Sequence, residues 1–162
     1  MRILGVSLIV VGFAVRVLGQ DSAVTISADG APALTLTAPQ GAKVIPAKDK
    51  TVIQTTNMFM HVWLVPEAKT VKEAAARVDE VVKGEMLKFK PSATNALTVA
   101  GEPAECLSGP CVEADDGDPA TADVVIFTVG AHAFIACVHG EHNVASRERD
   151  PMMSVLRTAK RP

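Results

Sequence analysis

Residues 123–143 constrain the fold more than any other stretch of the sequence. They hold two nearly unbroken apolar runs, 124–129 and 133–138, which are separated by Gly130 and Ala131. Glycine at the first central position of a two-residue loop is typical of a type II′ turn between antiparallel strands. We therefore predict a long hairpin at the centre of a buried sheet.

The rest of the sequence predicts short strands before and after one clear helix. The pattern of Thr70 and Glu73 is a capping box, and an apolar stripe at helical spacing follows it to Val82. A second helix is predicted from an N-cap at Asp150, with Pro151 in its first turn. Strands are predicted from alternating or β-branched runs at residues 34–38, 43–46, 51–55, 58–65, 95–100, 103–107, 111–114, 124–129 and 132–138. This order predicts the α+β class, with an antiparallel sheet flanked by helices.

The strand at residues 58–65 is apolar on both of its faces. Alternation places Phe59, His61 and Trp63 on one face and Met58 and Met60 on the other. The thioethers and the imidazole therefore cannot bind one copper ion together without a bulge.

Residues 1–19 have the pattern of a secretory signal peptide. Arg2 precedes a short apolar run, and small residues lie before a predicted cleavage site at Gln20. We predict export to the periplasm or beyond, with an uncleaved N-terminal anchor as the alternative. The mature chain then has an arm or edge strand at 20–33 and a single α+β domain at 34–162, without an integral membrane segment.

The charge of the chain argues against nucleic acid as a partner. Sixteen Lys and Arg stand against 18 Asp and Glu, for a net charge of −2, and aromatic residues make up only 4% of the sequence. A nucleic-acid-binding domain normally carries a basic face. The predicted partner is instead an unknown protein or small ligand.

Export would allow disulfide bonds to persist. Cys106 and Cys111 flank Leu-Ser-Gly-Pro, a sequence typical of a turn, so a hairpin could bring the two thiols together. We predict a disulfide between them. Cys137 remains, and in the middle of an apolar strand it is interpreted as a buried free thiol.

The hairpin also carries the densest group of potential metal ligands in the sequence. Cys137 and His139 point to one face of the second strand, and Glu141 and His142 follow directly. Such ligands are adequate for zinc, but structural zinc sites usually draw on two separated segments. The favoured interpretation is a core cysteine followed by a polar loop, with no cofactor. A metal-binding protein or small metalloenzyme using Cys137, His139 and His142 is the alternative.

The order of elements resembles the fold of PsbP-like and DcrB-like exported proteins, which a Ran-binding nuclear transport protein also shares. The resemblance lies in residues 34–41, the Thr70 helix, residues 98–104, the hairpin at 124–138 and residues 153–158. It implies an α/β/α sandwich that acts as a binding or assembly module and has no catalytic site to carry over.

The short catalytic signatures are missing from the sequence. It contains no Gly-x-Ser-x-Gly, Cys-x-x-Cys or His-Glu-x-x-His motif and no phosphate-binding glycine loop. The prediction is therefore an exported, non-enzymatic binding or assembly module.

Overall fold

A computed structural model describes residues 22–141 and 145–162, without the side chains of residues 141–148. The predicted signal peptide at residues 1–19 and the candidate ligand His142 lie outside the described residues. The described residues form these strands and helices: β1 Ser22–Ala28, β2 Ala31–Ala38, β3 Lys43–Pro46, β4 Lys50–Gln54, β5 Met58–Val65, α1 Val71–Ala75, α2 Val78–Val82, β6 Met86–Leu87, β7 Ala93–Val99, β8 Glu102–Glu113, β9 Pro119–Val129, β10 His132–Glu141 and α3 Ala145–Arg157.

An antiparallel sheet of eight strands forms the body of the described chain. Its order is β3-β4-β5-β10-β9-β8, and the outer edge of β8 pairs with β7 near one end and with β6 at the other. The predicted hairpin is confirmed as β9 and β10, with Val129 opposite His132 across a two-residue loop. Gly130 has φ 62° there, as a type II′ turn requires. Since β10 lies between β9 and β5, this hairpin is central to the sheet.

The two faces of the sheet bury separate apolar cores. The core that we call the ribbon-side core is covered by the two-stranded β1–β2 ribbon and by α3, while the helix-pair core is covered by α1 and α2. The backbone of Thr35 in β2 exchanges hydrogen bonds of 3.0 and 2.9 Å with Lys160, so the ribbon is also tied to the chain that follows α3. The ribbon-side core includes Leu34, Leu36, Met60, Phe127, Phe134 and Leu156, and the helix-pair core includes Trp63, Ala74, Val78, Ile126, Ile135 and Cys137.

The fold is thus α+β, but the sheet dominates it more than the prediction implied. The three helices are short, and the β1–β2 ribbon supplies part of one outer layer. The predicted helix at Thr70 begins there with its capping box intact, but it is broken between Ala75 and Val78 into α1 and α2.

The predicted start of the C-terminal helix is wrong. α3 begins at Ala145, so Asp150 is not its N-cap and Pro151 lies inside it. A proline within a helix removes one backbone donor and strains the preceding turn. The helix continues because Met152, Val155 and Leu156 on its next turns are buried in the ribbon-side core and stabilise it against that cost.

The predicted disulfide is also wrong, because Leu-Ser-Gly-Pro does not form a turn. Residues 106–111 all lie within the single strand β8, and the three cysteines are free thiols. Five residues of strand separate the two Cα atoms by roughly 17 Å, whereas a disulfide needs about 4.4–6.8 Å. Moreover, Cys106 faces the ribbon-side core and Cys111 faces the helix-pair core.

Among the described residues, no helix has the length and apolar character needed to cross a membrane.

Candidate metal centre

The face of β5 that meets the helix-pair core carries three rings in succession. Phe59, His61 and Trp63 share this face, as the alternation predicted, while Met58 and Met60 are buried in the ribbon-side core. The methionines therefore lie across the sheet from His61.

Strand β10 places His139 beside His61. In the pairing of β5 with β10, His139 is opposite Phe59 and Cys137 is opposite His61, so the two histidines are diagonal neighbours on one face. Their ring centroids are 5.1 Å apart and their planes differ by 19°. Phe59 stacks on His139 at 5.5 Å and Trp63 stacks on His61 at 5.6 Å. Four rings thus form one continuous stack across two strands, which we call the ring stack.

Two carboxylates contact the histidines on this same face of the sheet. Oε1 of Glu113, at the end of β8, lies 3.3 Å from Nδ1 of His139. Oε2 of Glu85 lies 3.4 Å from Nδ1 of His61. The backbone N–H of Ala114 donates to the carbonyl of Glu85 over 3.0 Å, which fixes the chain before β6 against the end of β8. This contact holds both acids at the ring stack.

Lys50 completes the charged groups around the ring stack. Its ammonium group pairs with Oε1 of Glu85 and lies 5.6 Å from the ring centroid of Trp63. The side chains of Lys50, Glu85 and Glu113 are 19%, 20% and 16% exposed, so these charges lie at the solvent end of the cluster. The histidines lie beneath them and are 5% and 6% exposed.

Three of the four ring nitrogen atoms of the histidines lack hydrogen bonds to the described residues. Both ring nitrogens of His61 and Nε2 of His139 have no hydrogen-bond partner among the described residues. The 3.4 Å contact of His61 with Glu85 is within ion-pair range, but it does not have hydrogen-bond geometry. Leaving a buried polar atom unpaired costs about 1–3 kcal/mol.

Burial, together with the nearby charges of His139 and Lys50, lowers the pKa of His61 to about 3. The ring of His61 is therefore neutral at physiological pH, which is the form that can bind a metal ion.

One ligand atom from each of His61, Glu85 and His139 lies within 4.8 Å of the other two. Among the metal ligands predicted from the sequence, His139 belongs to this group. The two residues that could bind the same ion with it, His61 and Glu85, lie on β5 and in the segment before β6. Glu141 ends β10, its side chain is not described, and His142 lies outside the described residues.

Cys137 shares the face of His139 but has a different environment. Its Sγ lies 3.8 Å from Sδ of Met86, and the side chain is fully buried. Burial raises the pKa of this thiol well above its ordinary value. The environment is that of a neutral core thiol rather than of a metal-bound thiolate.

Glu85 and Glu113 were not singled out in the sequence, and His61 was considered only together with the methionines beside it. The alternation at 58–65 placed His61 on the correct face. Its pairing with His139 depends on the register of β5 against β10, and the position of Glu85 depends on how the chain returns to β8 after α2. Both are long-range contacts without a local sequence signal.

A second polar group lies on the opposite face, beneath α3. Asp123 on β9 is 2% exposed and accepts hydrogen bonds from the guanidinium of Arg149 and from the hydroxyl of Ser108. These side chains line a cavity of about 380 Å³ between α3 and strands β7 and β8. Because the carboxylate of Asp123 on β9 is paired with Arg149 on α3, the group attaches the helix to the sheet.

The architecture is similar to that of several solved structures. LpqN of Mycobacterium tuberculosis, described as involved in cell envelope biogenesis, superimposes with a TM-score of 0.56 at 15% identity, over 88% of this chain and 91% of that one. The cyanobacterial PsbP of Synechocystis superimposes with a TM-score of 0.60 at 12% identity, over 92% of this chain and 98% of that one. The chain has a PsbP-like fold.

The PsbP-like fold also occurs in a eukaryotic protein of similar size. The Ran-binding protein Mog1p of Saccharomyces cerevisiae superimposes with a TM-score of 0.51 at 10% identity, over 86% of this chain and 95% of that one. No protein-family model and no curated protein matches the sequence. At these identities the likeness establishes the fold alone.

Proposed function

We propose that this protein is an exported, non-enzymatic module that binds or assembles with another protein. The observation that carries the proposal is the likeness of almost the whole chain to LpqN, PsbP and Mog1p. LpqN is described as acting in cell envelope biogenesis and Mog1p as binding Ran. Because proteins with such different roles share this fold, the fold supports binding of another protein as the function that they have in common.

The state of the reactive side chains supports a binding role. Burial raises the pKa of Cys106 and Cys137, and burial together with Glu113 raises the pKa of Cys111 to about 11. Neutral buried thiols are poor nucleophiles. The buried carboxylate of Asp123 is paired with Arg149, so it is already held as an ion pair.

The edge strand β3 is the surface that best fits a protein partner. All four of its residues are exposed, and Val44 and Ile45 are 37% and 44% exposed. Within the described residues, no strand pairs with the outer edge of β3. Its backbone donors and acceptors and two apolar side chains suit an extended segment of another protein, which would add to the sheet as a further strand.

Site-specific crosslinking in intact cells tests the proposal. A photoreactive residue at Val44 should give one defined protein adduct, whereas the same residue at the exposed Asp79 of α2 should not. Ile45→Lys should reduce the yield from Val44 without a change in the free energy of unfolding. Equal labelling from both positions, or no adduct from Val44, would contradict a binding role for β3.

Mass spectrometry of protein from a cell-envelope fraction tests export separately. The expected mass is that of residues 20–162, after cleavage before Gln20. A chain that retains residues 1–19 in the cytoplasmic fraction would contradict export, whatever the crosslinking shows.

A further inference from the structure

The ring stack contains an unusual concentration of unpaired buried polar atoms. Three nitrogen atoms of His61 and His139 have no hydrogen-bond partner among the described residues, although both side chains are more than nine-tenths buried. A histidine kept only for packing normally satisfies at least one ring nitrogen, because an unsatisfied buried atom costs free energy. His139 satisfies Nδ1 through Glu113, but His61 satisfies neither ring nitrogen, and the three unpaired atoms side by side indicate that something else binds them.

Glu85 supplies the third ligand on the open side of the histidines. Its carboxylate lies close enough to His61 and His139 for one atom of each side chain to fall within a 4.8 Å triangle. Ligand atoms around a tetrahedral zinc ion lie roughly 3.4 Å apart, given zinc–nitrogen bonds of about 2.1 Å. Small changes of side-chain rotamer would close the gap. We propose that His61, Glu85 and His139 form a binding site for a divalent transition-metal ion of the zinc type.

The ligand set favours zinc over calcium or magnesium. Two imidazoles and one carboxylate match the donors of sites that keep a fourth position for water, whereas calcium and magnesium require mainly oxygen ligands. Non-haem iron uses the same three donors, so iron(II) shares this chemistry. The ligands come from β5, β10 and the chain before β6, as expected for a site assembled from separated segments.

Glu113 has the position of an orienting group. It contacts Nδ1 of His139 at 3.3 Å and leaves Nε2, which is unpaired, free to bind the ion. Carboxylates that contact the second nitrogen of a metal-binding histidine fix its tautomer and increase its basicity.

Lys50 competes with a metal ion for the carboxylate of Glu85. Its ammonium group pairs with Oε1 of the carboxylate whose Oε2 faces His61, and its positive charge opposes the binding of a cation there. Because Lys50 and Glu85 are each about one-fifth exposed, the lysine can move into solvent, and the same opening provides a path for the ion. Removing this positive charge should therefore strengthen metal binding.

Titration with cobalt(II) alone, followed by displacement with zinc(II) alone, tests the site in the mature chain stripped with a chelator. The expected result is one ion per chain, with visible bands of a low-symmetry cobalt centre and without the near-ultraviolet band of a cobalt–thiolate bond. His61→Asn and His139→Asn should abolish binding. Glu85→Gln should weaken it by more than about tenfold. Lys50→Gln should strengthen it by about tenfold.

His132→Asn is the matched control, because His132 lies at the hairpin turn of β10 and should leave binding unchanged. Near-ultraviolet circular dichroism verifies the fold of each variant, and the Lys50 and Glu85 variants replace side chains that are partly exposed. The proposal is overturned if no ion binds stoichiometrically or if Lys50→Gln and Glu85→Gln leave the affinity unchanged. A thiolate band that is lost in Cys137→Ala would overturn it in favour of Cys137, His139 and His142.

Discussion

His61 on β5 and His139 on β10 stack with their ring centroids 5.1 Å apart, and both are almost completely buried. Burial, followed by the charges of His139 and Lys50, disfavours the charged form of His61. The pair therefore links the stability of the central strands to pH.

Acid should destabilise the metal-free protein through His61. The pKa of His61 is lowered to about 3 in the folded protein by burial, then by His139 and Lys50, and Glu85 is the facing carboxylate. The unfolded chain takes up this proton near pH 6.5. The contribution of His61 is thus complete above about pH 6.5 and declines by up to about 1.4 kcal/mol per pH unit as the pH falls towards 3.

Urea unfolding between pH 7 and pH 4.5, with a chelator present, measures this decline. His61→Gln should flatten the dependence on pH, and His132→Gln should not. Identical slopes for the wild type and His61→Gln would show that His61 is protonated in the folded protein.

Removing Arg149 should destabilise the fold more than removing a neighbouring arginine. The carboxylate of Asp123 is 2% exposed and depends on Arg149 and Ser108 for its hydrogen bonds. Arg149→Ala leaves this charge buried and should cost about 2–3 kcal/mol, less than the usual cost of about 3–5 kcal/mol because Arg149 itself is partly exposed. Arg157→Ala, at an exposed position of α3, should change the free energy of unfolding by less than about 0.5 kcal/mol. Equal losses in the two variants would argue against the ion pair as the anchor of α3.

Gly109 should not tolerate a side chain, although it lies in a strand. A Cβ atom there would lie 2.1 Å from the carbonyl oxygen of Lys90, which belongs to a backbone segment that runs beside β8. Gly109→Ala should therefore destabilise by several kcal/mol, since backbone must move. Gly84→Ala, where nothing lies within 4 Å of the added atom, is the control and should be neutral or slightly stabilising. Thermal unfolding compares the two, and similar melting temperatures would contradict the close approach.

The three thiols should be reduced and protected. Cys106, Cys111 and Cys137 are free and buried. A thiol reagent should label three cysteines in denaturant and label them only slowly in the folded protein. One reactive thiol in denaturant, with no reductant added, would restore the disulfide that the sequence suggested.

The central hairpin could be predicted from sequence because its signals are local. Two apolar runs and a Gly130 turn determine β9, β10 and their pairing. The face of His61 also followed from simple alternation along β5.

Two segments whose structure was predicted wrongly are held by contacts with distant parts of the chain. Leu-Ser-Gly-Pro has turn-forming residues, yet Ser92 and Lys90 donate backbone hydrogen bonds to Ser108 and Pro110 and hold this segment as strand. Because Gly109 has no side chain, the segment that contains Lys90 and Ser92 can approach β8 closely. Pro151 was expected to begin a helix, but the buried residues that follow it stabilise a longer one. In both segments tertiary contacts outweigh local preference.

Only part of the candidate metal site could be predicted from the sequence, for the same reason. His139 was a candidate from its neighbours in the chain. Its association with His61 and Glu85 required the register of β5 on β10 and the return of the chain to β8.

Anomalous diffraction at the zinc absorption edge, from a crystal grown with zinc, tests the metal site most directly. The structure predicts one internal peak, within bonding distance of a ring nitrogen of His61, a ring nitrogen of His139 and a carboxylate oxygen of Glu85. A peak at Cys137, or surface peaks only with the ring stack unchanged, would contradict it.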